Sequence, residues 1–176
     1  VPLVTTIADT MTADECAAIV AHAESLGLET ASIAYRDGPR TNLDARDNER
    51  VTFEDPALEA LLFERLAPRL PRFDGAAALG LSSRLRVYRY RPGQRFAMHR
   101  DGFVELEGAR SRLTVLVYLN DVERGGETFF AHSSELVAPR RGLALLFQHA
   151  LLHEARPVLE GRKYVLRTDV LYPVAG

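Results

Sequence analysis

An alternation of period two between Arg112 and Asn120 is the clearest pattern in the chain. Leu113, Val115, Val117 and Leu119 make one wholly aliphatic face, and Arg112, Thr114, Leu116, Tyr118 and Asn120 make the other. Side chains at i and i+2 of a strand share a face, so one face packs on a core while the other lines something polar. The same period, in short β-branched and aromatic runs broken by Pro-Gly, Gly-Gly and Arg-Gly, runs from Ser83 onward and predicts a half built mostly of strands. Ahead of it the period is helical. Thr12 and Glu15 form a Thr-x-x-Glu capping box before Ala17, Ile19, Val20 and Ala23, and Gly27 is the stop. Asp55 caps a second helix, with Pro56 at its first position, apolar residues at Leu58, Leu61, Leu62 and Leu66, and Pro68 as its end. Helices followed by short antiparallel strands predict an α+β, mainly β fold. The helices brace the outer face of a curled sheet or sandwich whose inner face holds a site.

Composition narrows the functional classes. A chain of 176 residues, 47% hydrophobic, is the size of one domain, read here as 1–176 with a helical support and substrate-side loop over 1–80 and a strand core over 81–176. A formal charge of -2 exerts no pull toward nucleic acid or an anionic membrane, and neither is an expected partner. The single cysteine, Cys16, forms no internal disulfide, and no apolar run is long enough to cross a bilayer, so a cytoplasmic location is expected. Nothing in the composition sets an oligomeric state.

Candidate chemistry concentrates in two segments. In RFAMHRDGF, His99 and Asp101 share a strand face, and HALLHEARP supplies His153 from another strand. Two imidazoles and one carboxylate are the ligand set of a non-haem iron centre that keeps coordination positions open. Ten residues after His153 stands Lys163, nine before His99 stands Tyr90, and Tyr118 lies on the polar face already described. A cation and two phenols therefore surround the proposed metal.

Three stretches in order, YRYRPGQRFAMHRDG, LTVLVYLNDVERGGETFF and PRRGLALLFQHALLHEARPVLEGRKYVLRTDVLY, resemble the Fe(II)- and 2-oxoglutarate-dependent dioxygenases. The resemblance is to their prolyl 4-hydroxylase-like branch and covers residues 84–172. Upstream, ARDNERVTFEDP is similar to an Arg-Asn-Asn-x-Arg stretch of bacterial members, with Asp47 where Asn is common. The resemblance implies a double-stranded β-helix, or jelly roll, over 81–176, with Fe(II) held by His99, Asp101 and His153. It further implies that Lys163 pairs with the distal carboxylate of 2-oxoglutarate and that Tyr90 and Tyr118 hydrogen-bond to this co-substrate. O2 is the second co-substrate, with ascorbate as a supporting reductant. The family pattern puts the metal ligand directly before Glu154, which makes His149 a supporting or structural residue. Phe96 occupies a position that is often Tyr.

The implied activity is a hydroxylase. It couples decarboxylation of 2-oxoglutarate to succinate and CO2 with insertion of oxygen into an unactivated C–H bond of an amino acid, a proline-like peptidyl side chain or a small natural product. Asp101 argues against a halogenase, where a small residue leaves room for halide on the metal.

Physical reasons stand beside the resemblance. The far carboxylate of the co-substrate enters a site away from bulk water, where an unpaired charge is costly, so a cation must wait there. Lys163 is the first choice. Arg167, four residues on and on the same strand face, is the second, through a bidentate contact. Thr114 either touches the co-substrate or is a buried hydroxyl satisfied by backbone. Arg36, Arg40, Arg46, Arg50 and Arg100 supply cations near the expected mouth and suit a carboxylate-bearing substrate, with Arg50, Arg100 and Phe96 as the expected substrate contacts. His22 and His132 read as ordinary surface or capping histidines, Gly125 and Gly126 as turn glycines, and Arg84, Arg86, Arg140 and Arg141 as solvated strand-edge charge. Two other readings use the same ligands. One is a zinc centre that activates water for hydrolysis, in which Lys163 has no work to do. The other is a non-catalytic sensor of metal and 2-oxoglutarate.

Overall fold

The computed structural model describes residues 3–35 and 37–174. Strand β1 (Val4–Ile7) precedes helix α1 (Ala13–Leu26), and β2 (Glu49–Phe53) precedes α2 (Pro56–Leu66), which tightens into a 3-10 turn over Ala67–Arg69. The strands β3 (Leu85–Tyr90), β4 (Phe96–His99), β5 (Ala109–Tyr118), β6 (Thr128–Phe130), β7 (Glu135–Val137), β8 (Ala144–Gln148), β9 (His153–Ala155) and β10 (Lys163–Pro173) follow. A larger antiparallel sheet runs β1-β8-β5-β10-β3-β2, and a smaller one runs β7-β6-β9-β4. No helix among the described residues is long and apolar enough to cross a membrane.

Local signals set both helices. The Thr12 hydroxyl accepts from the Glu15 amide at 3.2 Å while the Glu15 carboxylate accepts from the Thr12 amide at 2.8 Å, and Gly27, at φ 84°, closes α1. Asp55 accepts from the Leu58 amide at 3.0 Å to open α2. The helices are tied together by a bidentate pair in which Arg65 donates to both Glu15 oxygens, at 2.7 and 2.8 Å. That contact draws the Glu15 carboxyl down to about 2, with the Thr12 amide as the next cause.

The alternation in β5 becomes two cores. Leu113, Val115 and Val117 pack with Leu166 and Val170 of β10 against Cys16, Ile19 and Ala23 of α1 and Leu62 and Leu66 of α2. On the opposite face, Tyr118 joins Tyr88, Tyr90, Phe147 and Val165 of the larger sheet and Phe130 of the smaller one. The helices therefore brace the outside of the larger sheet, and the site lies on its inner face. A register shift between Ser111 and Leu113 interrupts the β5–β10 ladder. Such a bulge reverses the parity of the strand, which turns Ser111 to the same side as Thr114.

The first 80 residues are less helical than expected. β1 pairs with β8 at the edge of the larger sheet, and β2 pairs with β3 on the other side. Both strands are too short to display a period of their own, and their partners lie far along the chain, so pairing rather than local pattern makes them strands.

Truncating Leu113, which is fully buried between sheet and helices, should cost about 3 kcal/mol in urea unfolding, within the range for large-to-small core changes. Thr12→Ala should cost only about 1 kcal/mol, the value of one helix cap. A Leu113→Ala loss no larger than that of Thr12→Ala would contradict this placement of the core.

Candidate metal centre and its cleft

Antiparallel pairing of β4 with β9 sets His153 directly opposite His99. Asp101 follows two residues after His99, just beyond the end of β4, where its backbone amide donates to the His149 carbonyl at 3.0 Å. One ligand atom from each of His99, Asp101 and His153 falls within 4.8 Å of the others. His99 Nε2 lies 3.5 Å from Asp101 Oδ1, and His153 Nε2 lies 3.8 Å from Oδ2.

The tautomers are fixed from behind. His99 Nδ1 meets the Ala97 carbonyl at 2.7 Å and His153 Nδ1 meets the Leu151 carbonyl at 2.8 Å. A carbonyl only accepts, so each Nδ1 carries the proton and each Nε2 presents a lone pair toward Asp101. This is the arrangement of a metal-binding imidazole steadied by its second nitrogen. Burial lowers the His153 pKa to about 4, which keeps its ring neutral in neutral solution. Burial alone would raise the Asp101 pKa, but the Arg167 guanidinium outweighs it and holds the carboxyl well below its usual range. This donor set, two imidazoles and one carboxylate on one side of a point, fits ferrous iron.

Lys163 lies in the same cleft, 2% exposed. Its Nζ donates to the Gly126 carbonyl at 2.6 Å and sits 4.9 Å from the Tyr90 ring centre and 5.6 Å from that of Tyr118. Among the described residues no carboxylate forms an ion pair with it, and burial lowers its pKa to about 7. A buried ammonium without an anion of its own fits the carboxylate of a bound dianion. Gly125 and Gly126, at φ 80° and 75°, take the turn conformation their type suggested. A Cβ on Gly126 would meet the Lys163 side chain at 3.2 Å, so the small residue also makes room for the cation.

Residues 85–168, which carry all three donors and Lys163, match the 2OG-Fe(II) oxygenase superfamily. Over that segment the chain is similar to the members of that superfamily. Probable prolyl 4-hydroxylase 9 of Arabidopsis thaliana is 31% identical over 88% of the chain, and Probable prolyl 4-hydroxylase 11 of the same plant is 41% identical over 36% of it. The chain spans 63% and 24% of the length of these two relatives. The viral collagen prolyl hydroxylase of Paramecium Bursaria Chlorella virus-1, solved as a 2OG complex, superposes with a TM-score of 0.70 at 22% identity, covering 97% of this chain and 96% of its own. A Pseudomonas putida prolyl-4-hydroxylase superposes at 0.67 with 20% identity, covering 98% and 93%. The chain therefore has the double-stranded β-helix fold.

The expected site residues separate into two groups. Tyr90, Phe96, Lys163 and Arg167 line the cleft with the three donors, and the Phe96 ring stacks on His99 at 3.5 Å between centres. The Tyr118 hydroxyl turns instead to Thr128 at 2.6 Å. Thr114 is buried, but neither backbone nor open cleft satisfies its hydroxyl, which meets Asp101 at 2.7 Å and His149 at 2.8 Å. Arg167 is already paired, donating to Asp101 Oδ1 at 3.0 Å with Asp169 at 3.5 Å.

The arginines expected at the mouth diverge. Arg36 lies outside the described residues. Arg40 pairs with Asp37, Arg50 donates to the Ser32 hydroxyl at 2.8 Å, and Arg100 donates to the Ala150 carbonyl at 2.9 Å. None of Arg40, Arg46, Arg50 and Arg100 lines the cleft itself. Arg100 falls between His99 and Asp101, so strand alternation sends it to the other face. Arg46 alone of the four is buried, at 3% exposure, with its guanidinium over the rings of Tyr88 and Phe96 at 4.6 and 4.2 Å. Its Nε donates to Asn48 at 2.7 Å, and its Nη2 meets no partner among the described residues.

Two features escaped the sequence reading. Arg86 is no solvated edge charge: β3 lies inside the sheet, and Arg86 pairs with buried Asp169 at 3.0 Å. Tyr88, between Arg86 and Tyr90 on the same face, lines the cleft. Burial opposes its ionisation, but Arg167, Arg86 and Arg46 overcome that and bring the phenol down to about 7. The period of two already set Tyr88 beside Tyr90.

Proposed function

We propose that the chain is an Fe(II)- and 2-oxoglutarate-dependent hydroxylase, with His99, Asp101 and His153 as the metal ligands and Lys163 as the anchor of the co-substrate. The observation that carries this reading is the shared cleft, in which three converging donors and an ammonium with no carboxylate partner face one space. Bound iron and 2-oxoglutarate supply the oxidising power, through decarboxylation to succinate and CO2 coupled to transfer of one oxygen atom from O2 to a C–H bond. The protein's own residues position and shield. His99, Asp101 and His153 would hold the metal from one side, as a three-donor set that keeps positions open for the co-substrates. Lys163 neutralises the distal carboxylate, and Tyr90, Phe96 and Phe147 keep bulk water away from it. No general acid or base is required of the protein, and none is assigned.

Lys163 is favoured over Arg167 as anchor because Arg167 already has carboxylate partners whereas Lys163 has none. The substrate is an amino acid, a proline-like peptidyl side chain or a small natural product. Arg46, with its unpaired buried nitrogen beside Phe96, is the arginine best placed to receive a substrate carboxylate. Arg50 and Arg100 are the worst placed.

The reaction class is tested without knowing the substrate. Under anaerobic conditions, Fe(II) and 2-oxoglutarate together should produce a visible charge-transfer band, and admission of O2 should release succinate. A band without succinate would indicate a sensor, and neither signal would leave the hydrolase reading. Asp101→Ala should abolish succinate formation. Lys163→Ala should weaken 2-oxoglutarate binding by about 3–5 kcal/mol, the cost of leaving a buried charge unpaired. That corresponds to a rise in Kd of about a hundredfold or more, and an unchanged Kd would transfer the anchor role to Arg167.

Acidity gives an independent check. The Lys163 pKa near 7 in the free protein means that above this pH the amine must take up a proton to pair with a carboxylate. The Kd for 2-oxoglutarate should therefore be flat below about pH 6 and rise by up to about tenfold per pH unit above 7. Calorimetry in buffers of different ionisation heat should show close to one proton taken up at pH 8.5. Proton-independent binding there would contradict the assignment.

A further inference from the structure

Asp101 is held by more than its neighbours in the metal centre. Its Oδ2 accepts from the Thr114 hydroxyl at 2.7 Å, and the same hydroxyl oxygen lies 2.8 Å from His149 Nδ1. The other ring nitrogen, His149 Nε2, lies 2.9 Å from the Ser111 hydroxyl, which accepts from the Val104 amide at 2.8 Å. Ser111, Thr114 and His149 are 1%, 0% and 7% exposed, so water does not substitute for any link. We propose that Ser111, His149 and Thr114 are positioning residues, a one-way hydrogen-bond chain that fixes the carboxylate of Asp101 and ties it to the loop that carries Val104.

Counting hydrogens gives the direction. Thr114 has one hydroxyl proton, and the Asp101 carboxylate can only accept it. The Thr114 oxygen must then accept from His149, which places a proton on Nδ1. With a neutral ring, Nε2 is left as an acceptor and takes the single proton of Ser111, whose own lone pair is filled by the Val104 amide. Every donor points toward Asp101. The opposite tautomer would turn the Thr114 proton to His149 and leave two bare oxygens facing one another at the Asp101 contact. A fully protonated ring also donates from Nδ1, so the direction at Thr114 is unchanged.

Local structure assembles this chain deliberately. The bulge between Ser111 and Leu113 brings Ser111 onto the side that Thr114 occupies. His149 grips Asp101 a second time through its carbonyl, which accepts the Asp101 amide at 3.0 Å. Both ring nitrogens of His149 are thereby used, which explains why a histidine four residues before His153 is not a fourth donor in the cluster. Links of this kind orient a ligand before the metal arrives, and their loss typically weakens metal affinity by about 10- to 100-fold.

The inference rests on the metal-centre reading above, and its test separates the two. Co(II) binding to the metal-free protein is followed by calorimetry and by the visible spectrum of the bound ion, with no turnover needed. Thr114→Val, nearly the same size but without a hydroxyl, should weaken Co(II) binding about 10- to 100-fold, and Thr114→Ser should restore it to within a few-fold. His149→Phe should weaken binding comparably, and the Thr114→Val/His149→Phe double variant should be little weaker than Thr114→Val alone, because links in series are not additive. Wild-type protein that binds no Co(II) would remove the metal centre and the chain together. Wild-type binding with Thr114→Val unaffected would overturn the chain alone. Should Thr114→Val fail to fold, nitrogen NMR of the wild type still decides. A proton on His149 Nδ1 supports the direction, and a neutral ring protonated at Nε2 overturns it.

Discussion

Pairing of β4 with β9 is the constraint on which the site depends, because it sets His153 across from His99 and lets Asp101 reach both. The strands are short, with four residues in β4 and three in β9, so the pairing has little ladder of its own. It is held in place by what surrounds it. β6 lies on the other side of β9, the Phe130 and Phe147 rings pack near His153 at 5.9 and 4.5 Å between centres, and Phe96 stacks on His99. A one-residue slip in this pairing would turn a histidine to the opposite face. The aromatic packing that closes the cleft is thus also what secures the register of the donors.

Charge is buried in an ordered way around these donors. Asp101 faces Arg167, and Asp169 faces Arg86 and Arg167, so the carboxylates beneath the cleft are matched by guanidinium groups. Lys163 and Arg46 are the exceptions. Each is nearly inaccessible, each rests on aromatic rings, and neither forms an ion pair among the described residues. An unpaired buried cation is unfavourable, and this is the ground on which Lys163 is proposed as the anchor of the co-substrate. Elsewhere on the inner face the Tyr118 hydroxyl meets Thr128, whereas the buried Tyr88 hydroxyl has no hydrogen-bond partner among the described residues.

Much of this was legible in the sequence because it rests on short periods. The i, i+2 relation placed His99 with Asp101, Lys163 with Arg167, and the aliphatic residues of β5 on one face, and the capping residues of both helices marked their starts. The metal ligands and the inner strands could therefore be located from spacing and from family resemblance together. What was not legible depends on long-range pairing or on irregularity. β1 and β2 become strands only against partners elsewhere in the sheet. Arg86 looks like a surface charge until β3 is seen to lie inside the sheet. Thr114 was known to be on the polar face, but its link to His149 and Ser111 depends on a bulge that no period announces. Among the arginines expected at the mouth the sequence favours Arg50 and Arg100, and only packing shows that Arg46 is the buried one.

The central claim is that one cleft holds a metal on His99, Asp101 and His153 and a dicarboxylate anchored on Lys163. A crystal structure with Mn(II) and N-oxalylglycine, with the metal located by anomalous scattering, tests it most directly. The account predicts one Mn(II) bound by Nε2 of both histidines and the carboxylate of Asp101, with the distal carboxylate of the ligand on Lys163 Nζ. Metal bound elsewhere, or a distal carboxylate directed away from Lys163, would contradict it.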